Sequence, residues 1–288
     1  RESMFVIMGA TGHVGSVVAE TLLDRGQHVT VVTRDPTHGK SLQDRGAEVA
    51  IADIEDVGSL RAAFMRGRRA FLLNPPADIT GDTDATELQT VSNILAALTD
   101  SGLEKVVAES TAGAMPGKGI GDSSVLWEFE QGLRRQPIPA AINRAGFYMS
   151  NWDAQLEPVK AGQKLQTMYP RDFVLPMVAP RDAGIVAADR LMSPVNDTST
   201  RYIEGPARYS SADVADAFAT ALGRPVDIAV TPPDQFRAAY RKLGFSAAAA
   251  DAYSRMAEET LASDFEYGDR VIAGTTSLQS YIDQLVRQ

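Results

Sequence analysis

A chain of 288 residues, 44% of them hydrophobic and 23% charged, has the length and composition of one large or two ordinary globular domains, which excludes collagen, coiled coil and disorder. Its 28 Lys+Arg against 37 Asp+Glu give a net charge of −9, which argues against a nucleic-acid partner or an anionic membrane but leaves room for one anionic small ligand. There is no cysteine, so disulfides, thiolate catalysis and cysteine-held metals are excluded, as expected of a reducing, cytoplasmic setting.

The first half alternates short β-branched runs with amphipathic segments. Strands are predicted over residues 5–8, 28–33, 47–51, 70–73, 105–108 and 138–143. Helices are predicted over 14–23, 36–45, 57–65, 86–98 and 124–135, from apolar residues at helical spacing such as Val14, Val17, Val18 and Leu22. Gly26 ends the first helix, and Pro75-Pro76 stops the fourth strand. Strict alternation implies an α/β fold: a doubly wound parallel sheet, Rossmann-like, with right-handed crossovers. Residues 4–151 are therefore expected to form a dinucleotide-binding domain. Residues 152–288 are expected to form a smaller, mostly helical substrate lobe, with some segments returning to the sheet. In it a strand is predicted over 172–178 and helices over 182–192, 212–222, 236–243, 247–265 and 277–286. No apolar run nears the ~18 residues that span a bilayer, and no signal peptide is apparent. The triplet Arg1-Glu2-Ser3 ahead of Met4 reads as an expression remnant.

The strongest chemical signal is Gly9-Ala10-Thr11-Gly12-His13-Val14-Gly15, which follows the first strand and opens the first helix. A strand running into glycines gathers backbone N–H groups and the positive helix end at one point, which suits a diphosphate. Gly9 permits the turn, Gly12 lets the backbone approach the pyrophosphate, and Gly15 lets helix and strand pack closely. Thr11, His13 and Val14 complete the loop, with His13 expected to serve through its backbone N–H. The spacing is Gly-x-x-Gly-x-x-Gly, and a strand–helix turn that binds nothing is the competing reading.

The residue that meets the adenosine ribose belongs at the end of the second strand, where Thr33-Arg34-Asp35 stand. An acidic residue there favours NAD; an arginine pairs with the 2′-phosphate of NADP. Arg34 comes first, and Asp35, followed by Pro36, can equally cap the next helix. NADP(H) is therefore favoured over NAD(H). Asp53 and Ile54 follow the third strand, Asn74 and Pro75 the fourth, and Ser110 the fifth. These strand ends line the expected route from adenosine to nicotinamide.

With these residues placed, the chain resembles the NmrA-like family of atypical short-chain dehydrogenases/reductases. The matching pieces are GATGHVG, TRDP, FLLNPP, VVAEST and the segment INRAGFYMSNW over residues 142–152. Members show arginine–proline–glycine–phenylalanine–tyrosine–methionine–glutamate–asparagine in that last place; here Ala145 replaces the proline and Ser150 the glutamate. The match is strong to about Trp152 and weak beyond. The resemblance implies a dinucleotide domain plus a substrate lobe, and one of two trades. One is NADPH-dependent reduction of a quinone-like or conjugated aromatic acceptor. The other is a non-catalytic NADP(H) sensor that binds a protein partner.

Classical relatives use Tyr-x-x-x-Lys after the fifth strand. All eight tyrosines here lie at or beyond Tyr148, and none is followed four residues later by lysine. An alignment anchored on Arg144 and Leu133 puts the tyrosine place on Asp122 and the lysine place on Leu126. That disfavours an epimerase or alcohol dehydrogenase and leaves the catalytic residues unassigned. Phe147, Tyr148 and Trp152 are expected as an apolar wall at the nicotinamide end, with Asn151 as polar anchor, or else as packing between the lobes. His13, His28 and His38 have no metal-ligand spacing, so no metal site is expected. The expected partner is a small-molecule substrate; oligomeric state is not legible.

Overall fold

One eight-stranded parallel sheet accounts for the alternation in the first half and recruits two strands from the second. The computed structural model describes residues 4–288; Arg1-Glu2-Ser3, read as an expression remnant, lies outside the described residues. The first half runs β1 (Phe5–Ile7), α1 (His13–Asp24), β2 (Val29–Thr33), α2 (Lys40–Asp44), β3 (Glu48–Ile51), α3 (Val57–Phe64), β4 (Arg69–Leu72), α4 (Thr83–Leu98), β5 (Lys105–Thr111), α5 (Asp122–Arg135) and β6 (Ala140–Ala145). The second half runs β7 (Phe147–Tyr148), α6 (Leu156–Lys160), β8 (Leu165–Thr167), β9 (Leu175–Val178), α7 (Pro180–Met192), β10 (Thr200–Glu204), β11 (Arg208–Tyr209), α8 (Ser211–Leu222), β12 (Ile228–Val230), α9 (Phe236–Lys242), α10 (Ala247–Ala262), β13 (Val271–Ala273) and α11 (Leu278–Arg287).

The sheet order is β13-β10-β6-β5-β4-β1-β2-β3, and every pairing in it is parallel. The order reverses between β1 and β4, and crevices at such a point hold ligands in doubly wound sheets. Successive side chains face opposite layers. Ile7, Val31, Phe71 and Val107 pack under α1 and α7, whereas Val6, Leu72, Val106 and Ala108 pack under α3, α4 and α5. At Gly184 of α7 a Cβ would stand 2.6 Å from Val17 Cβ and 2.9 Å from the Val14 carbonyl oxygen of α1. Glycine there lets the two helices close on one another.

Several expected boundaries shift for identifiable reasons. The helix predicted from residue 86 starts at Thr83, because the Asp82 carboxylate accepts from the Ala85 N–H at 3.1 Å and caps it. The fifth strand continues to Thr111, since its pairing with β6 extends to Ala145. The strand predicted over 172–178 is confined to β9, between β7 and β11. The smaller lobe is mostly helical and also holds a three-stranded β11-β9-β7 sheet and a β12-β8 pair around a core with Met149, Trp152, Leu165, Met177, Phe218 and Ile282. The segments that rejoin the main sheet are β10 and β13, with α7 covering it. They were not legible because β13 is three residues long and β10 begins with Thr-Arg.

The amino end of the sheet is pinned by charge. Lys105, fully buried, donates to the Arg190 carbonyl at 2.7 Å, the Ser193 hydroxyl at 2.8 Å and the Pro194 carbonyl at 3.0 Å. Arg190 donates to the Ile142 carbonyl, Asn143 Oδ1 and Asp197. Both hold the last turn of α7 and the segment after it against the strands, leaving the opposite, carboxyl end open. Among the described residues no helix is long and apolar enough to cross a membrane.

Candidate active site

The glycine loop sits at the carboxyl end of β1. Gly9 has φ of +64°, a conformation that favours glycine, and its carbonyl accepts from the Gly12 N–H at 3.0 Å. A Cβ on Gly15 would lie 2.1 Å from the Gly9 carbonyl oxygen, so the first turn of α1 lies directly on the loop. Gly12 is the N-cap and supplies no side chain, and the first turn carries no acidic residue. Thr11, Gly12 and His13 are exposed, while Val14 is buried in the core. The helix therefore presents N–H groups that no side chain of its own satisfies, which is the electrostatic arrangement that binds phosphate.

At the end of β2, Arg34 and Asp35 have separate occupations. The Asp35 carboxylate accepts from the Thr37 N–H at 2.9 Å and the Thr37 hydroxyl at 2.8 Å, capping the turn that begins at Pro36. Those two hydrogen bonds hold its carboxyl below the usual aspartate range. Arg34 is exposed over 83% of its side chain and has only a long contact to Asp53, 3.9 Å between Nε and Oδ2. Asp53 Oδ1 also accepts from the Glu55 N–H, and the Ile54 carbonyl is taken by Asn93 of α4. Arg34, Asp53 and Ile54 thus share one strand-end cluster.

The side chains of Asn74 and Ser110 are turned away from the route the sequence suggested for them. Asn74 donates to the Glu87 carbonyl at 3.1 Å and accepts from Thr90 at 2.7 Å, tying the end of β4 to α4. Ser110 is buried, and its hydroxyl is spent on Glu130 of α5. Glu130 accepts from Arg144 Nη2 at 2.6 Å and Nε at 3.0 Å, and Arg144 in turn donates to the Tyr202 hydroxyl at 2.7 Å. Pro75, half-buried, remains at the strand end.

The segment after β6 divides its three expected wall residues and their polar anchor. Trp152 is 4% exposed and belongs to the core of the smaller lobe, so it does not line a cleft. Phe147 packs on it with ring centroids 5.7 Å apart and meets Tyr169 edge-on. Asn151 is exposed. Tyr148 turns the other way, against the core that includes Ala10 and Val14 of the glycine loop. Its hydroxyl donates to Glu109 Oε2 at 3.0 Å.

Around Tyr148 stands a group of carboxyls that sequence reasoning did not assign. Glu109, on β5, is 6% exposed, and desolvation pushes its carboxyl up to about 8. Glu87 of α4 is likewise raised to about 8, by desolvation and then by the nearby Asp122 carboxyl, with which it shares a hydrogen bond. Asp122, at the first position of α5, is also raised by desolvation. Its side chain is still reached by solvent. Desolvation, the Glu109 charge and then Asp122 keep the Tyr148 phenol protonated well above its usual range. From the far side Tyr253 of α10 senses Asp122 and Glu87. A cavity of about 530 Å³ lies between residues 115–120 and α9–α10, lined in part by Lys118, Ile120 and Arg255. The available sequence signal was one acidic residue inside an apolar strand, Glu109 in VVAEST; the Glu87–Asp122 contact joins two distant helices and had none.

A family model described as the NmrA-like family matches residues 1–264. The NAD(P)H azoreductase of Xenophilus azovorans is 24% identical over 260 residues, covering 88% of this chain and 86% of the azoreductase. The Citrobacter sp. triphenylmethane reductase complexed with NADP(H) superposes with a TM-score of 0.83 at 18% identity, over 98% of this chain and 99% of that one. The NADPH-dependent quinone oxidoreductase of Escherichia coli complexed with NADPH gives 0.81 at 20% identity, over 98% and 99%.

Proposed function

This chain belongs to the NmrA-like family, and from that premise we propose that it is an NADP(H)-dependent oxidoreductase that reduces a small conjugated acceptor of quinone, azo or cationic-dye type. The observation that carries the reading is the glycine loop, where an uncapped helix end meets a backbone too close for any side chain at Gly15. The residues present fit a dinucleotide. Gly9, Thr11, Gly12, His13, Val14 and Gly15 would hold the diphosphate through backbone N–H groups, and Asp53 and Ile54 would border the adenine. Arg34 supports NADP(H) over NAD(H): it is the exposed cation at the ribose position, while Asp35 is occupied as a cap. Pro75 would lie along the route to the nicotinamide. Asn74 and Ser110 would act there through backbone alone, since their side chains are engaged.

When bound, the reduced nicotinamide supplies a hydride, and the chain's own residues position the acceptor and exclude water. Tyr148 and Asn151 would stand on the acceptor side, with Phe147 packed on Trp152 in the smaller lobe behind them. An azoreductase, a triphenylmethane reductase and a quinone oxidoreductase among the similar proteins share an extended, electron-poor acceptor class, which is why that class is chosen. The test is NADPH absorbance at neutral pH with a panel of naphthoquinones, azo dyes and triphenylmethane dyes. Oxidation above the enzyme-free rate with at least one class is expected; none across the panel overturns the reading. The missing Tyr-x-x-x-Lys pair favours one rival, a nucleotide sensor, for which a protein partner must bind differently with NADP+ and NADPH.

A further inference from the structure

We propose that the Tyr148 hydroxyl delivers the proton that accompanies reduction of the acceptor, and that the Glu109 carboxyl behind it resupplies that proton. The proposal rests on the reductase reading and replaces the absent tyrosine–lysine pair with a tyrosine from a different part of the fold.

Geometry comes first. Tyr148 lies just beyond β6 and Glu109 near the end of β5, so both stand at the carboxyl end of the sheet. The phenol packs against the core around the glycine loop, and its hydroxyl is 3.0 Å from Glu109 Oε2. The other carboxyl oxygen, Oε1, is buried and has no hydrogen-bond partner. Among the described residues no lysine, arginine or histidine pairs with Glu109. A buried carboxyl without a cation keeps its proton at neutral pH, and burial does hold this one near 8. Asp122, at the start of α5 and hydrogen-bonded to Glu87 of α4, is the other titratable group facing Tyr148, and its charge also opposes phenolate formation.

A neutral carboxyl lets the 3.0 Å contact run in either sense. The phenol can donate to the carboxyl, or the carboxyl O–H can donate to the phenol oxygen, freeing the phenol proton for the cleft. In a two-electron reduction the acceptor gains a hydride from the reduced nicotinamide, and one of its oxygens or nitrogens is left electron-rich. The Tyr148 O–H bond breaks as a new bond to that atom forms. The Glu109 O–H bond breaks as its proton moves to the phenol oxygen. Glu109 is left a carboxylate and recovers a proton from solvent through Tyr148 once the product has gone. The net proton donor is thus a group that titrates near the working pH, which is where general acids are most effective.

The experiment uses the full chain, NADPH and a soluble 1,4-naphthoquinone, with Tyr148→Phe and Glu109→Gln. Tyr148→Phe should lower kcat by about a hundredfold, at the lower edge of general-acid contributions, with calorimetric NADPH affinity unchanged. Glu109 is a positioning and resupplying residue, so Glu109→Gln should lower kcat less. The wild-type kcat should fall as pH rises through about 8, and Glu109→Gln should abolish that fall. A readout independent of turnover is the infrared band of a protonated carboxyl at pH 7. Its amplitude should fall in Glu109→Gln, where the Glu87 carboxyl still contributes, and the Glu109 part should shift in Tyr148→Phe. Wild-type kcat in Tyr148→Phe, or a band unchanged in Glu109→Gln, overturns the proposal while the reductase reading stands. If the wild type binds NADPH but reduces no acceptor, both fall together.

Discussion

Glu130 and Glu109 are two buried carboxyls on opposite faces of β5, the first on α5 and the second on the strand itself, and their surroundings differ completely. Ser110 points to one face of β5 and finds Glu130, which also receives Arg144 and Arg134. Glu109 points to the other face and finds only Tyr148. The first carboxyl is fully paired, and its job is to lock α5, β5, β6 and β10 together. The second has one partner and a displaced titration, the combination that marks chemistry more often than architecture. Burial alone therefore separates nothing here; the partners each carboxyl finds do.

The sharpest way to break the contrast is Arg144→Met. It leaves Glu130 buried with its main cation gone, and losing one partner of a buried pair costs ~3–5 kcal/mol. Urea denaturation should show that loss, whereas Glu109→Gln should fold normally at pH 7. Equal urea midpoints for wild type and Arg144→Met would mean that the Glu130 network does not hold the sheet.

Next in size is a pH effect on stability. The Glu109 carboxyl binds its proton more tightly folded, near 8, than unfolded, near 4.5. Between those values the folded state carries more protons, so the contribution of this group to stability is fully present below about 4.5. It is lost as pH rises toward 8. Glu109→Gln stays neutral and should flatten that part of the decline, becoming the more stable protein at pH 8. Glu87, raised for similar reasons, keeps its own slope in the variant. Parallel stability–pH curves for the two proteins would show that Glu109 is ionised in the fold.

A third contrast lies at the ribose end. Arg34→Ala should weaken NADP(H) far more than NAD(H), by ~1.5–3 kcal/mol, roughly ten- to a hundredfold, the worth of one charge-assisted hydrogen bond to a phosphate. Calorimetry with both nucleotides decides it. Equal weakening of the two would reduce Arg34 to a residue that shapes the loop.

These contrasts were unequally legible. The glycine loop could be read because backbone demands write themselves into local sequence: strand, glycines at fixed spacing, then an amphipathic helix. The parallel sheet followed from periodicity for the same reason. Of the smaller lobe's strands β9 was legible, inside the run 172–178; the others were not, since each is two or three residues long and draws its apolar contacts from distant helices such as α8 and α11. The side-chain partners of Ser110, Asn74 and Trp152 were not legible for another reason. Position at a strand end places a backbone but does not say which way a side chain finds its partner: Glu130, Thr90 and the lobe core claimed these three. The carboxyl group around Tyr148 is a tertiary fact throughout, assembled from α4, β5, α5 and the turn after β6.

The smallest predicted effect tests whether two adjacent residues truly divide their work. Asp35 and Arg34 both follow β2, and either could read a ribose. The Asp35 carboxylate already accepts two hydrogen bonds from Thr37, which hold its titration low and fix the turn at Pro36. Both bonds fall on Oδ1 and hold the side chain over its own turn, so only Oδ2 could still accept from a ribose hydroxyl. Asp35→Ala should therefore lower thermal stability slightly, through the missing cap, and leave the ratio of NADP(H) to NAD(H) affinities unchanged. If NAD(H) binding falls selectively instead, Asp35 is a ribose reader. The strand end would then accept both nucleotides, with Arg34 and Asp35 as alternative contacts.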